Sequence, residues 1–519
     1  MKTISLDGRD GLRIYLDMAE DWTRRGFLSK TTQGALLGAG SLGFLSRLPL
    51  VSAEEAKVDP GMVRFLPEIE PLVRLLEDTP RERLLEEVGA KIKGGTTLRE
   101  ILTALLLAGI RNIQPRPVGF KFHAVLVVNS AHLASLNSPP GDRWLPLFWA
   151  LDQFKSSQEQ DKKEGDWTME AVKEADVAPA DQAVERFRKG MDAWDWSIAD
   201  GAAAGVARSM GTQAAFDLFC HYGARDYRDI GHKAIYVSNS WRLLETIGWQ
   251  HAEPVLRSLA YAMLEFSGAN PATKDALADR PGRKNEERLK ELRTTWNSGE
   301  NRADALGEMM KVLRAGTWDD ASAKVVALIN GGCGPQPVWD GMFQFAGELL
   351  MRSPGIITLH ASTTTNALHY AFQHAKDDAT RRFLMLQNAS FLTLFRDDAE
   401  VKGGVEIDMF EALAPKSKGA EAVEEIFAGL AEDRMTAARR TLGYLDAGGD
   451  AKLFTDAAQR LVYLKGTDSH DYKYSSAVIE DFGGLSPACR NRFLAASTHW
   501  LKGASLADSP LVARSRAAL

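Results

Sequence analysis

The chain has 519 residues, enough for two to four domains or for one large helical body. Hydrophobic residues make up 45% and charged residues 25%, an ordinary globular composition that can build a sizeable core. A formal net charge of −6 with no basic block argues against a nucleic-acid partner, and three scattered cysteines (Cys220, Cys333, Cys489) support neither a zinc spacing nor a disulfide framework.

The first recognisable segment is Thr23-Arg24-Arg25-Gly26-Phe27-Leu28, with Lys30 close behind, which reads as a twin-arginine export motif. A Gly-rich apolar stretch follows from Gly34 to Leu50, and Val51-Ser52-Ala53 offers small residues to a signal peptidase. The stretch is too short and too rich in Gly and Ser for a stable membrane span; an amphipathic N-terminal helix is the other reading. Residues 1–53 are therefore expected to be a signal peptide addressed to the twin-arginine export machinery, with a periplasmic or extracytoplasmic destination. That route carries folded chains, typically ones loaded with a cofactor in the cytoplasm.

From residue 54 onward, apolar residues recur at three- and four-residue spacing, as in "PLVRLLEDTPRERLLEEVGAKI", "TLREILTALLLAGI", "AEPVLRSLAYAMLEF" and "DDASAKVVALI". Long alternating strand patterns are missing. Turn signals in "NSPPGD", "SGANPATKD" and "NGGCGPQPVWDG" mark connections, and the polar segment 269–301 reads as an exposed insertion carrying one solvated helix. The expected fold is all-α: a single large helical domain over residues 54–519, built from repeated helix pairs around a central site.

The repeat lies in four segments, "GFKFHAVLVVNSAHLASL", "DIGHKAIYVSNSWRLLETIG", "ITLHASTTTNALHYAF" and "TDSHDYKYSSAVIEDF". Each carries one histidine at the start of a predicted helix: His123, His232, His360 and His470. Each is followed by a second apolar helix. The histidines stand 109, 128 and 110 residues apart along the chain, and the long interval holds the charged insertion. These periods far exceed the ~40 residues of common helical repeats, which argues against a HEAT-like solenoid.

Positions i, i+3, i+4 and i+7 share a helix face, and beside these histidines the face is mostly apolar or small. Four imidazoles pointing into one helical body can form a transition-metal site, and an all-nitrogen set suits Fe, Cu, Ni or Zn rather than Mg or Ca. The alternative is four unrelated core histidines. Lys473, three residues after His470, is the one ionisable group at an i+3 position. It is either a lysine snorkelling at a helix start or a buried neutral amine that takes up carbon dioxide and becomes an anionic oxygen ligand. His221 is a possible substitute for His232. His132, His369 and His374 lie further along their helices, with His369 a candidate catalytic residue that orients substrate or moves a proton. Tyr236, Tyr474, Thr364 and Asn239 are candidate pocket groups.

At "FHAVLVVNSA", "GHKAIYVSNS", "LHASTTTNALHY" and "SHDYKYSSAV" the chain resembles the questin oxidase-like family. The third segment matches in its Leu-His start, its hydroxyl residues and a second histidine nine on (His360, His369), the fourth in its His-x-x-Lys helix start (His470, Lys473). The resemblance implies an all-helical oxygenase that cleaves a ring of a polycyclic aromatic or quinone-like substrate with O2. It also implies a non-heme Fe(2+) on His123, His232, His360 and His470, with carboxylated Lys473 as a fifth ligand. NADPH has been associated with the family, but no glycine-rich nucleotide fingerprint follows a strand here, so no dinucleotide domain is expected. A non-catalytic helical-repeat binding protein of the cell envelope and a zinc-dependent hydrolase using the same histidines are the competing expectations.

Overall fold

Each histidine segment folds as the middle member of three consecutive helical stretches, as seen in a computed structural model that describes residues 61–519. The twin-arginine motif and its processing site lie outside the described residues. The first group is α1 (Leu98–Asn112), α2 (His123–Leu126) continuing through Val127 into α3 (Val128–Leu136), and α4 (Leu145–Glu164). The second is α5 (Thr212–Gly223), α6 (His232–Ile247) and α7 (Ala252–Met263). The third is α8 (Pro335–Arg352), α9 (Ile356–His374) and α10 (Asp378–Asp398); the fourth is α11 (Ala451–Lys465), α12 (Ser469–Gly484) and α13 (Pro487–Ala496). Among the described residues the only β pairings are two isolated bridges, Met62 with Glu170 and Glu300 with Cys333. The fold is all-α.

The middle helices meet in a closed circuit. α3 packs on α6, α6 on α9, α9 on α12, and α12 returns to α3, while the flanking helices of each group pack around them. Composition explains why the centre can be this tight. Every residue of α9 from Thr358 to Phe372 is buried, and the run "ASTTTNA" at its middle offers only short side chains to its neighbours. The stack of Trp149 on Tyr472, ring centroids 4.2 Å apart, ties the first group to the fourth. The C-terminal helix Pro510–Ala518 packs on the early helix Arg81–Lys93 and on α4, so the circuit closes instead of running on as an open solenoid.

Local signals set the helix starts. Thr97 and Glu100 form a capping box at α1, and Asp468 and Asp471 form another at α12. α8 begins at Pro335, inside the segment read as a turn-rich connection, because proline is well suited to a first helical turn. The insertion 269–301 contains one helix, Arg280–Arg288, but that helix is not wholly solvated. Its Asn285 donates to Gln387 Oε1 (2.7 Å) and Ser390 Oγ (3.1 Å) of α10, and its Arg288 reaches Ser322 and Asp319. Polar residues in this segment were matched to buried polar partners, which composition alone does not reveal.

Candidate metal centre

The four histidines all occupy the first two turns of their helices, and the backbone just before them is unusual. Six non-glycine residues among those described have positive φ, and three lie next to a cluster histidine: Phe120 (φ 45°), Asp229 (54°) and Ile230 (45°). A β-branched residue such as Ile230 in that region is a genuine outlier, and such strain collects at functional sites. Here it aims carbonyls. His123 Nδ1 lies 2.9 Å from the Phe120 carbonyl, and His232 Nδ1 lies 2.5 Å from that of Asp229. Gly231 has φ +80°, and a Cβ there would sit 2.1 Å from Thr364 Oγ1, so only glycine lets the start of α6 seat against α9.

His360 Nδ1 is 2.7 Å from the Ile356 carbonyl, and His470 Nδ1 pairs with the Asp468 carboxylate. All four Nδ1 partners are oxygens that only accept, so each Nδ1 carries a proton; His123, His232 and His360, kept neutral by burial, therefore turn an unprotonated Nε2 inward, and His470 Nε2 is buried beside them. The rings form a quadrilateral in the order 123, 232, 360, 470. Its centroid separations are 4.8, 4.3, 5.1 and 4.5 Å along the sides and 6.1 Å between His123 and His360 across the middle. The ligating atoms of His123, His360 and His470 lie within 4.8 Å of one another. His232 is outside that trio but belongs to the cluster, because its Nε2 is 2.9 Å from that of His123.

That 2.9 Å contact constrains what the site can hold. With both Nδ1 atoms donating elsewhere, the two facing Nε2 atoms are lone pair against lone pair, which repels unless a cation lies between them. A shared proton is disfavoured. Burial, reinforced by the nearby Lys473 amine, holds His123 and His232 well below the ordinary imidazole range, and burial with its histidine neighbours does the same to His360. A metal ion would satisfy the arrangement: ligands ~2.1 Å from a centre stand ~3.0 Å apart when adjacent. His360 Nε2 and His470 Nε2 are likewise buried without a partner, and a buried polar atom left unpaired calls for an explanation.

Lys473, one turn beyond His470, is the third such group. It is buried, its Nζ has no hydrogen-bond partner, and burial pushes its pKa down to about 7, with Asp468 opposing the shift. The contrast with Lys233, the residue after His232, is instructive. Lys233 turns to the other side of its helix and is fully paired, with Asp226 at 3.1 Å and the Glu265 carbonyl at 3.0 Å. Lys473 also lines a small cavity (the channel) of about 20 Å³ between the four middle helices, together with Ser130, Asn239, Thr363, Ala367 and Ala477 among others. The i+7 residues of all four histidines thus face one axis.

The remaining sequence candidates lie elsewhere. His369 is nine residues past His360, which is two and a half helical turns, so it emerges on the opposite face of α9. Its ring packs against Trp339 (4.8 Å) and Phe343 (4.9 Å), and burial pushes its pKa down to about 3; it does not reach the cluster. His221 stacks on Phe383 and approaches Glu286 at 3.5 Å, so it does not replace His232. His374 stacks on Tyr370, and His132 is a buried residue of α3. Tyr236 donates to Ser258, and Tyr474 is core. Asn239 lines the channel and donates to the Leu126 carbonyl. Sequence reasoning missed Asp468, two residues before His470, although an N-cap aspartate at that spacing is readable. It also missed Arg242 and Glu480, ten residues after His232 and His470 respectively.

No family model, curated protein or solved structure matches the chain.

Proposed function

We propose that the protein is an exported, iron-dependent oxygenase of the questin oxidase type, acting on a polycyclic aromatic or quinone-like substrate. The supporting observation is the set of four Nε2 atoms gathered in one buried cluster, two of them 2.9 Å apart and two without any partner. His123, His232, His360 and His470 would hold the ion, each fixed in tautomer and orientation by the acceptor at its Nδ1. Lys473, buried and unpartnered as a free amine, fits the carboxylated ligand that the family resemblance implies. A bound iron would supply one-electron chemistry toward dioxygen, which zinc, lacking redox chemistry, would not.

The chain's own residues account for substrate binding and water exclusion. His360 is fully buried and His232 nearly so, whereas His123 is only partly covered. Phe120, three residues before His123, is 77% exposed, and Ile356, at the start of α9, is 45% exposed. These residues supply the carbonyls that hold His123 and His360, so an apolar rim is built into the same turns that position the ligands. An aromatic substrate would lie against this rim and shield the ring nitrogens from solvent.

The test is metal content followed by oxygen consumption. Protein isolated through its native export route should hold about one iron per chain, lost in His360→Ala, and should consume O2 only with a polycyclic quinone present. Zinc at that stoichiometry with hydrolytic turnover would move the reading to a hydrolase. Absence of bound metal with an intact fold would leave a non-catalytic binding scaffold.

A further inference from the structure

We infer that the channel along the axis of the four middle helices is the supply route for carbon dioxide to Lys473, closed at its outer end by Arg242 and Glu480. This rests on reading Lys473 as a modified ligand, but the route can be tested on the amine alone. Three observations carry it. Lys473 Nζ is buried, has no partner, and its residue lines the channel. The channel's volume of about 20 Å³ admits roughly one small molecule at a time. Its walls come from all four middle helices, with small or neutral residues (Ser130, Thr363, Ala367, Ser476, Ala477) among them.

The far end is built differently. Arg242 pairs with Glu480 at 2.5 Å, donates to Asn239 Oδ1 at 3.0 Å, and lies over the Tyr370 ring at 3.8 Å. Asn366 donates to Glu480 at 2.7 Å and to Asp481 at 2.8 Å. The Glu480 side chain is 41% exposed while that of Arg242 is 9% exposed, so the pair spans from solvent to channel. Apart from Lys473, Arg242 and Glu480 the lining is uncharged, and a small neutral molecule enters so small a space at a lower desolvation cost than bicarbonate.

The reaction balances without any other reagent. The Nζ lone pair forms the N–C bond, one C=O π pair moves onto oxygen, and the proton leaving nitrogen passes to water, so an amine and CO2 give a carbamate anion and a hydrated proton. Isocyanic acid, formed from cyanate, has the same linear shape and size and leaves a stable carbamoyl group on the amine.

The experiment treats the full chain with a chelator in CO2-free buffer, adds cyanate, and follows carbamoylation of Lys473 by peptide mass spectrometry. Wild-type protein should label at Lys473 while still folded. Ala477→Leu, which fills the space that Lys473 lines, should slow labelling by about ten-fold or more. Arg242→Ala, which removes the mouth residue and adds no bulk, should speed it. The proposal is overturned if both variants label at the wild-type rate. It is also overturned if Phe120→Trp at the histidine side slows labelling and the channel variants do not, or if Lys473 labels only on unfolding. Iron content is measured separately on untreated protein: a chain without metal that still labels through the channel refutes the iron reading alone, and an iron-loaded chain insensitive to the channel variants refutes the route alone.

Discussion

Gly231→Ala should damage the cluster without touching a histidine. The residue has φ +80°, and its missing Cβ would meet Thr364 at 2.1 Å (Oγ1), 2.7 Å (Cγ2) and 2.9 Å (Cβ), all too close for real contacts. Holding an L-residue in the left-handed region costs roughly 1–2 kcal/mol, and overpacking a buried seam costs roughly 1–3 kcal/mol, so the variant should lose about 2–5 kcal/mol. Thr364→Ala in the same chain removes Oγ1 and Cγ2 but keeps the Cβ at 2.9 Å, so the double variant should recover about 1–2 kcal/mol of the packing cost and remain below wild type. Urea denaturation of the metal-free full-length protein, followed by far-UV circular dichroism, measures both. Iron content should fall with Gly231→Ala, because His232 is the next residue and moves with the start of α6. A Gly231→Ala protein within about 0.5 kcal/mol of wild type and carrying full iron would show that this seam does not position His232.

Lys473→Met keeps the buried volume and removes the amine; iron should be lost to a competing chelator about ten-fold more readily or worse, with the helical signal unchanged. His369→Phe should change the acid stability: the wild-type folded pKa is about 3 against 6.5 unfolded, so the folded state binds fewer protons in that window and stability falls as pH drops from 6.5 toward 3. Relative to wild type the variant should therefore gain about 3 kcal/mol between pH 7 and pH 4, using about 1.4 kcal/mol per pH unit; equal pH profiles by denaturation would count against the burial of that ring. Asp226→Asn leaves the buried Lys233 ammonium without its counter-charge and should cost roughly 3–5 kcal/mol in a urea melt, whereas a neutral result would mean Lys233 finds water.

The cluster was legible because its geometry is carried by register. A histidine at a helix start, with a mostly apolar or small face and a short residue at i+7, points into the body, and four such helices repeating along the chain suggest a common centre. Lys473 could be picked out for the same reason, as the one charge at an i+3 position. What the sequence hid was whatever depends on neighbours. The strained φ at Phe120, Asp229 and Ile230 leaves no mark in residue type, since none is a glycine, yet it directs the carbonyls that set two histidine tautomers. Arg242 and Glu480 resemble any solvated helix charges until α6 and α12 are placed side by side. His369 looked close to His360 in sequence, but nine residues turn it to the far side of α9. Asn285 and Arg288 read as surface because their buried partners on α10 and nearby come from distant sequence.

The most direct test of the central claim is X-ray absorption at the metal edge of the purified full-length protein, with metal content determined on the same sample. The account predicts about one iron per chain, surrounded by nitrogen or oxygen neighbours at ~2.0–2.2 Å with the outer-ring signature of several imidazoles, and loss of that signature in His360→Ala. A metal-free chain, or an iron signature unchanged in His360→Ala, would contradict it.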